Sequence, residues 1–390
     1  MISLREALDG HRNSLGLVRL IMAMAVIFDH AFPLGGWGTA PFLGMTRGQQ
    51  SLGGLAVLGF LAISGFLVTK SALGSDVLQF LWRRFLRIFP GFWLALLVGA
   101  FVVGPALWLA EGRPLGSYLS IGPGSPIAYL YSNATLTIGQ YGISDLLVET
   151  TPYGDAGNGG PINGSIWTLT YEWVCYLLLA GLLAVGVLGK AKLVVPLTAA
   201  FFFLMQLVNQ IQPGGAAAVF PFFGDVWRLN FGFIFFVGAS LALYSHKIPF
   251  DHRLGIAAGV LSLVLLRTGG FNTVGYVLFA YTVLYVAAAL PRQTQWIGAK
   301  NDYSYGVYLY GWVVQQVLAY LGVNQLGYLP YVMLSLAGAF VLAVGSWHLV
   351  EKRALKLKDW GPGRGLRSFS EAGRTRRAER QAVAVDPTHR

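Results

Sequence analysis

The sequence predicts an all-α integral membrane protein, a bundle of about ten transmembrane helices with both termini cytoplasmic. Three observations lead there. Hydrophobic residues make up 55% of the chain and charged residues 12%, about half the charged share of a soluble domain. Apolar runs such as 256–266 and 271–290 recur along the chain, and a bilayer core asks about 20 such residues of a helix. The Lys and Arg residues fall unevenly on the segments between those runs. A mean hydropathy of +0.57 and 50 glycines agree with this, since small residues let membrane helices approach closely.

Taken in order, the hydropathy pattern gives spans near 13–34, 52–72, 86–110, 164–188, 192–211, 228–245, 254–268, 270–290, 303–322 and 328–350. The first is not a cleavable leader, because its core is followed by Asp29, His30 and Pro33 rather than by a small-x-small site. Only Thr268-Gly269-Gly270 separates the seventh and eighth spans, so both must be near full length. The longest connection, 111–163, is rich in Gly, Pro, Ser, Asn and Tyr. Its Tyr118, Tyr129, Tyr131, Tyr141 and Tyr153, with Trp37 on the same side, suit sugar rings, which stack on aromatics and hydrogen-bond at their edges. An interfacial aromatic belt accounts for the same residues. Residues 1–355 read as one membrane domain and 356–390 as a basic, disordered cytoplasmic tail.

Orientation follows from charge. With the N-terminus inside, only Arg47, Arg113, Arg228 and Arg267 fall at the outer face and Arg19 lies within the first span, so the other 23 of the 28 Lys and Arg are cytoplasmic. Residues 352–390 hold 11 Lys/Arg against 4 Asp/Glu, which places most of the net +11 in the tail. That distribution argues against a nucleic-acid partner. It fits a solvated end or one that touches anionic membrane lipid.

Ionisable groups inside a membrane need a partner or a function. Arg19 and His30 are 11 residues apart, three turns along one helical face and about 16 Å along the axis. Asp29 points about 100° away from His30. An imidazole can take a proton from a hydroxyl near neutral pH. Glu172, in Trp167-Thr168-Leu169-Thr170-Tyr171-Glu172, is expected at similar depth, where it could orient that ring or bind a sugar hydroxyl. His30, Arg19 and Glu172 are therefore the catalytic candidates, against the plainer reading of a packed histidine. Trp167, Tyr171 and Tyr305 are the candidate substrate-binding aromatics.

A second cluster, Trp82-Arg83-Arg84-Phe85-Leu86-Arg87-Ile88-Phe89-Pro90, precedes the third span. Arg83 and Arg87 are four apart, with Arg84 adjacent. They are ordinary positive-inside anchors or a phosphate clamp, since guanidinium binds phosphate oxygens bidentately. Acyl-coenzyme A bound there would point its thioester into the bundle. No P-loop, His-Glu-x-x-His, Cys-x-x-Cys or Gly-x-Ser-x-Gly occurs, and no metal site is expected. Ser64 reads as a helix-packing or kink residue. Cys175 is the lone cysteine, so no disulfide forms.

Six blocks in order carry a resemblance: Arg19 and His30; Ser64-Gly65-Phe66-Leu67-Val68; Arg83 to Pro90; Trp167 to Glu172; Tyr303-Ser304-Tyr305-Gly306-Val307-Tyr308-Leu309-Tyr310; and Ser346-Trp347-His348-Leu349-Val350-Glu351-Lys352. Over residues 11–355 the chain resembles membrane acyltransferase family 3, whose bacterial members acylate surface glycans. The resemblance implies a cytoplasmic-membrane O-acyltransferase with acetyl-coenzyme A, or another acyl-coenzyme A, as donor. It also implies a cell-surface or lipid-linked sugar as acceptor, and essential roles for His30 and Arg19. Many members carry a histidine soon after the Tyr-Leu-Tyr block. Here the residues are Gly311-Trp312-Val313-Val314-Gln315-Gln316, which favours the polysaccharide-modifying branch. With no esterase-like domain, a one-component enzyme is expected. The rivals are a proton-coupled transporter, which usually shows two similar halves not seen here, and an acyltransferase for a small glycosylated metabolite.

Overall fold

The computed structural model describes residues 2–10 and 13–360, and every regular element among them is a helix. Ten long helices follow one another: α1 (Leu15–Gly35), α2 (Leu52–Ala72), α3 (Val77–Ala110), α4 (Trp167–Ala184), α5 (Val194–Ile211), α6 (Val226–Leu243), α7 (His252–Thr268), α8 (Phe271–Ala289), α9 (Ser304–Tyr320) and α10 (Tyr328–Asp359). Eight of them are long and apolar enough to cross a membrane, as in a multi-pass membrane protein. The other two, α7 and α9, have 17 residues each. At about 26 Å they fall a little short of the roughly 30 Å hydrocarbon core. They occupy the places of the seventh and ninth expected spans.

Small residues bring the central helices together. A Cβ built on Gly65 of α2 would come within 2.0 Å of the Phe235 carbonyl oxygen, and one on Gly238 of α6 within 2.2 Å of that of Ala62. Nothing larger than glycine fits at either place, so α2 and α6 pack backbone to backbone. Helix α9 is buried all round, with Tyr305, Tyr308, Tyr310 and Trp312 each at most 7% exposed. It therefore lies at the centre of the bundle, against α1 and α10. The outward side chains are apolar, among them Ile21, Val102, Leu197, Leu263 and Val341.

One end of the bundle, called here the basic end, gathers the starts of α1 and α3. Leu4 N donates to Ile248 O (2.8 Å) and Phe250 N to Ile2 O (2.9 Å), which ties the N-terminal segment to the α6–α7 connection. The last turn of α10 lies on the start of α3, where Trp82 Nε1 donates to Leu357 O (2.9 Å). Ordered structure thus runs past 355 to 360, and 361–390, most of the expected tail, lies outside the described residues.

At the opposite, loop end, segment 111–163 folds into a cap with a helix at Pro126–Asn133 and turns at Leu115–Ser117 and Gly154–Asn158. Arg113 clips it with bonds of 2.5 and 2.9 Å to the two oxygens of Asp145, holding that carboxyl below the usual carboxylate range. The loop-end aromatics divide. Tyr118 and Tyr129 are core residues, and Tyr118 donates to Ala100 O at 2.5 Å. Trp37 packs edge-on against Tyr328 and Tyr331. Tyr141 and Tyr153 line open pockets.

Candidate active site

Helix α1 carries Arg19 near its start and His30 near its end, and the site is built on those two levels. At the lower level, towards the basic end, Asp302 lies just before α9. Its Oδ2 accepts from Arg19 Nη1 and from Arg87 Nη2, each at 2.5 Å. Its Oδ1 accepts from the Ser304 amide (3.2 Å) and hydroxyl (2.5 Å), so the same carboxylate also holds the first residue of α9. The Arg87 guanidinium stands 5.6 Å from the Tyr305 ring centre, and Tyr305 donates to Ile88 O at 2.7 Å. Nearby, Glu351 is buried and accepts from Ser346 Oγ at 2.7 Å, leaving its other oxygen without a partner.

Next to this lies Glu172, which accepts from the Ser64 hydroxyl and, at 2.5 Å, from Tyr176. Arg84 reaches over the Tyr176 ring, 5.9 Å from its centre. Two small cavities of about 50 and 60 Å³ meet here, sharing Arg19, Ser64, Glu172 and Tyr305. Together they form a narrow polar cleft with room for a few water-sized groups.

The upper level is different in kind. His30 lines a pocket of about 900 Å³ together with Asp29, Tyr153, Asp155, Asn158, Trp167 and Trp312. Its ring meets Trp312 edge to face at 4.9 Å, and Trp312 is itself held by an Nε1 bond to Pro161 O (3.2 Å). Among the described residues nothing hydrogen-bonds to the His30 nitrogens, so the imidazole can offer a lone pair to whatever enters. Asp29 does face a different neighbour, accepting from Ser51 Oγ (2.7 Å) and Leu52 N (3.2 Å) at the start of α2. A second pocket of about 720 Å³ shares Tyr153, Asn158, Gly164, Trp167 and Trp312, and extends past Tyr141 and Trp227.

The wall between the levels is one side-chain layer thick. On α9, Tyr308 lines the lower cleft while Trp312, one turn on, lines the upper pocket; on α4 Thr168 and Trp167 divide in the same way. Tyr308 donates to Ser165 O (2.6 Å) and bonds to the Thr168 hydroxyl, which closes the gap.

The candidates named from sequence are thus distributed over both levels. Arg19 and Arg87 meet at Asp302, with Tyr305 beside Arg87. Arg84 faces the cleft, whereas Arg83 turns away to Ser75 Oγ and Asp359 Oδ1, both at 3.1 Å. Although Arg83 is only about 40° from Arg87 around the helix, its side chain reaches the last turn of α10 instead. Glu172 lies a level below His30: it lines the lower cleft, whereas Trp167, five residues and about 7.5 Å along the same helix, lines the upper pocket with His30. Trp167 lines both upper pockets, and Tyr171 stands behind it, donating to Asp225 Oδ2 at 2.7 Å.

Sequence reasoning did not single out Asp302 or Trp312, and it treated Ser64 as packing. An acid at the edge of an apolar run, next to an intramembrane arginine in need of a partner, was the available signal for Asp302. At 311 a Cβ would approach Ile27 Cγ1 to 2.7 Å, so a histidine there would displace the Ile27 side chain of α1. Trp312 is the residue of that block that meets His30.

Comparison with known proteins gives the family. A match to the acyltransferase domain family covers residues 12–348. The chain is 28% identical over 352 residues to the O-acetyl transferase of Shigella phage Sf6, a match that spans 88% of this chain and 96% of that protein. It is 29% identical over 386 residues to nodulation protein 10 of Rhizobium leguminosarum bv. viciae, spanning 90% and 96%. No solved structure matches the chain. Matched over nearly its whole length, the chain belongs to acyltransferase family 3 and is a membrane-bound acyltransferase.

Proposed function

We propose that this acyltransferase is an O-acyltransferase of the bacterial cytoplasmic membrane. It takes an acetyl or other acyl group from acyl-coenzyme A at the basic, cytoplasmic end. It delivers the group to a hydroxyl of a cell-surface or lipid-linked polysaccharide in the loop-end pocket. The observation that carries this reading is His30: an imidazole with no protein partner among the described residues, edge-on to Trp312 in a roomy pocket of aromatic and small polar groups. Aromatic faces beside amides and carboxylates suit a sugar ring, and the name of the phage relative supports oxygen as the atom acylated.

In this reading a His30 nitrogen removes the proton from the acceptor hydroxyl as that oxygen bonds to the thioester carbonyl carbon. The tetrahedral intermediate collapses, the carbon–sulfur bond breaks, and coenzyme A leaves as thiolate and takes the proton back from His30. Arg19, about 16 Å below His30 along the same helix and paired with Asp302, lines the donor's route rather than the oxyanion's position. The wall at Tyr308 and Thr168 has to part for the thioester to reach His30.

Purified protein given labelled acetyl-coenzyme A and a polysaccharide fragment should release coenzyme A only when acceptor is present, and should label the glycan as an ester. Release of coenzyme A with no ester on any hydroxyl acceptor would overturn the reading. Orientation is tested separately: a reporter after residue 360 should be active only in the cytoplasm.

A further inference from the structure

The lower cleft does not look like an open cationic trap for phosphate. Three guanidiniums, from Arg19, Arg84 and Arg87, share it with Glu172, while Asp302 and Glu351 stand beside them, so carboxyl groups match guanidiniums in number. Two of the three arginines are already engaged. Arg19 and Arg87 converge on one oxygen of Asp302, and the three side chains are only 22%, 18% and 15% exposed. The other oxygen of Asp302 is taken by Ser304, so this carboxylate joins α1, α3 and α9 at one point. Arg84 is different. Among the described residues no carboxylate lies within salt-bridge distance of it, and its Nε is buried without a partner.

We infer that Asp302 is a positioning residue. It withdraws Arg19 and Arg87 from anion capture and holds them as an aimed pair, leaving Arg84 as the guanidinium that takes a phosphate of the donor. The inference rests on the acyl-coenzyme A reading above and narrows it, because a three-arginine clamp becomes one arginine and a fixed pair. The consequence is unusual for a residue held in ion pairs. Neutralising Asp302 frees two guanidiniums, so anion affinity should rise while transfer slows. A purely structural residue would lower both.

The test uses the full chain in detergent or nanodiscs, with inorganic pyrophosphate as the probe and acyl transfer as the readout. Asp302→Asn keeps the shape and the Ser304 bonds. It should lower kcat at least about tenfold and tighten pyrophosphate inhibition by about tenfold, the size of one charge-assisted hydrogen bond. Unchanged or weaker inhibition would overturn the inference. Should Asp302→Asn not accumulate as folded protein, the parent background answers the same question. There Arg84→Gln should weaken pyrophosphate inhibition about tenfold and Arg87→Gln by less than about twofold; equal losses overturn the inference. If the parent transfers acyl groups without any dependence on acyl-coenzyme A, the donor reading falls and takes this inference with it. If it depends on acyl-coenzyme A and the variants behave alike, only the role of Asp302 falls.

Discussion

The two levels of the site differ most in how their polar groups are satisfied. Below, Arg19 and Arg87 are answered by Asp302, and Glu172 accepts from both Ser64 and Tyr176. Above, His30 has an aromatic neighbour but no hydrogen-bond partner among the described residues. An ion-paired guanidinium, or a carboxylate that already accepts two hydrogen bonds, is held in place by its partners and exchanges protons less readily. An unbonded imidazole in an open pocket is suited to the reverse. In the function proposed above, the lower level positions and the upper one transfers the proton, and each part of that contrast can be broken separately.

The largest effect should come from His30. Replacing it with Ala removes the proposed base, and His30→Gln keeps hydrogen bonding without the proton uptake. Both should cost about 10²- to 10⁴-fold in turnover with normal amounts of folded protein in the membrane. Turnover of the Gln variant within about threefold of the parent would make His30 structural. Chemistry would then pass to Asp29 or to the lower level, where Glu172 with its Ser64 bond is the remaining base.

Arg84 and Arg87 sharpen the contrast within the lower level. Losing a charge-assisted contact to phosphate should raise the donor KM about tenfold in Arg84→Ala with little change in kcat. Arg87→Ala should instead lower kcat, because it leaves Asp302 and Arg19 misaimed. Equal effects on donor and acceptor constants in both variants would return the pair to simple anchoring.

A smaller effect belongs to Trp312, which fixes one edge of His30 and one wall of the pocket. Trp312→Leu should raise the acceptor KM about three- to tenfold and leave the donor KM unchanged. A shift in the donor constant alone would place the thioester, rather than the sugar, against this ring.

How far these features could be read in advance depended on the kind of information each needs. The order of apolar runs located the eight helices long and apolar enough to cross a membrane, since hydropathy is a local property. Arg19 and His30 were legible because their spacing fixes a face. Depth and partner were harder. Glu172 and His30 each lie five residues inside a helix end, yet they open onto different cavities, because that depends on which neighbours close over them. The loop tyrosines look alike in sequence, but Tyr118 and Tyr129 serve the core while Tyr141 and Tyr153 line pockets. Arg83 was grouped with Arg87 by periodicity; only the position of Asp359 explains its turn.

That turn supplies the smallest and last expectation, which concerns the C-terminus. The final described contacts to the bundle are Trp82 Nε1 to Leu357 O (2.9 Å) and Arg83 Nη2 to Asp359 Oδ1 (3.1 Å). A chain ending after Trp360 keeps both and loses only 361–390. Its turnover should stay within about twofold of the parent, well below the loss expected of a base or a charge-assisted contact. A chain ending after Leu355 loses both contacts. The ion pair is half exposed on its Asp359 side and so contributes about 0–1 kcal/mol, with about 1 kcal/mol more from the indole bond. The shorter chain should therefore melt slightly lower in detergent while its donor KM is unchanged, because Arg83 faces away from the cleft. Thermal melting and donor kinetics of the two truncations side by side would decide it. If removing 361–390 alone raises the donor KM at normal protein levels, the basic tail takes part in capturing the donor, and the lower level extends beyond the bundle.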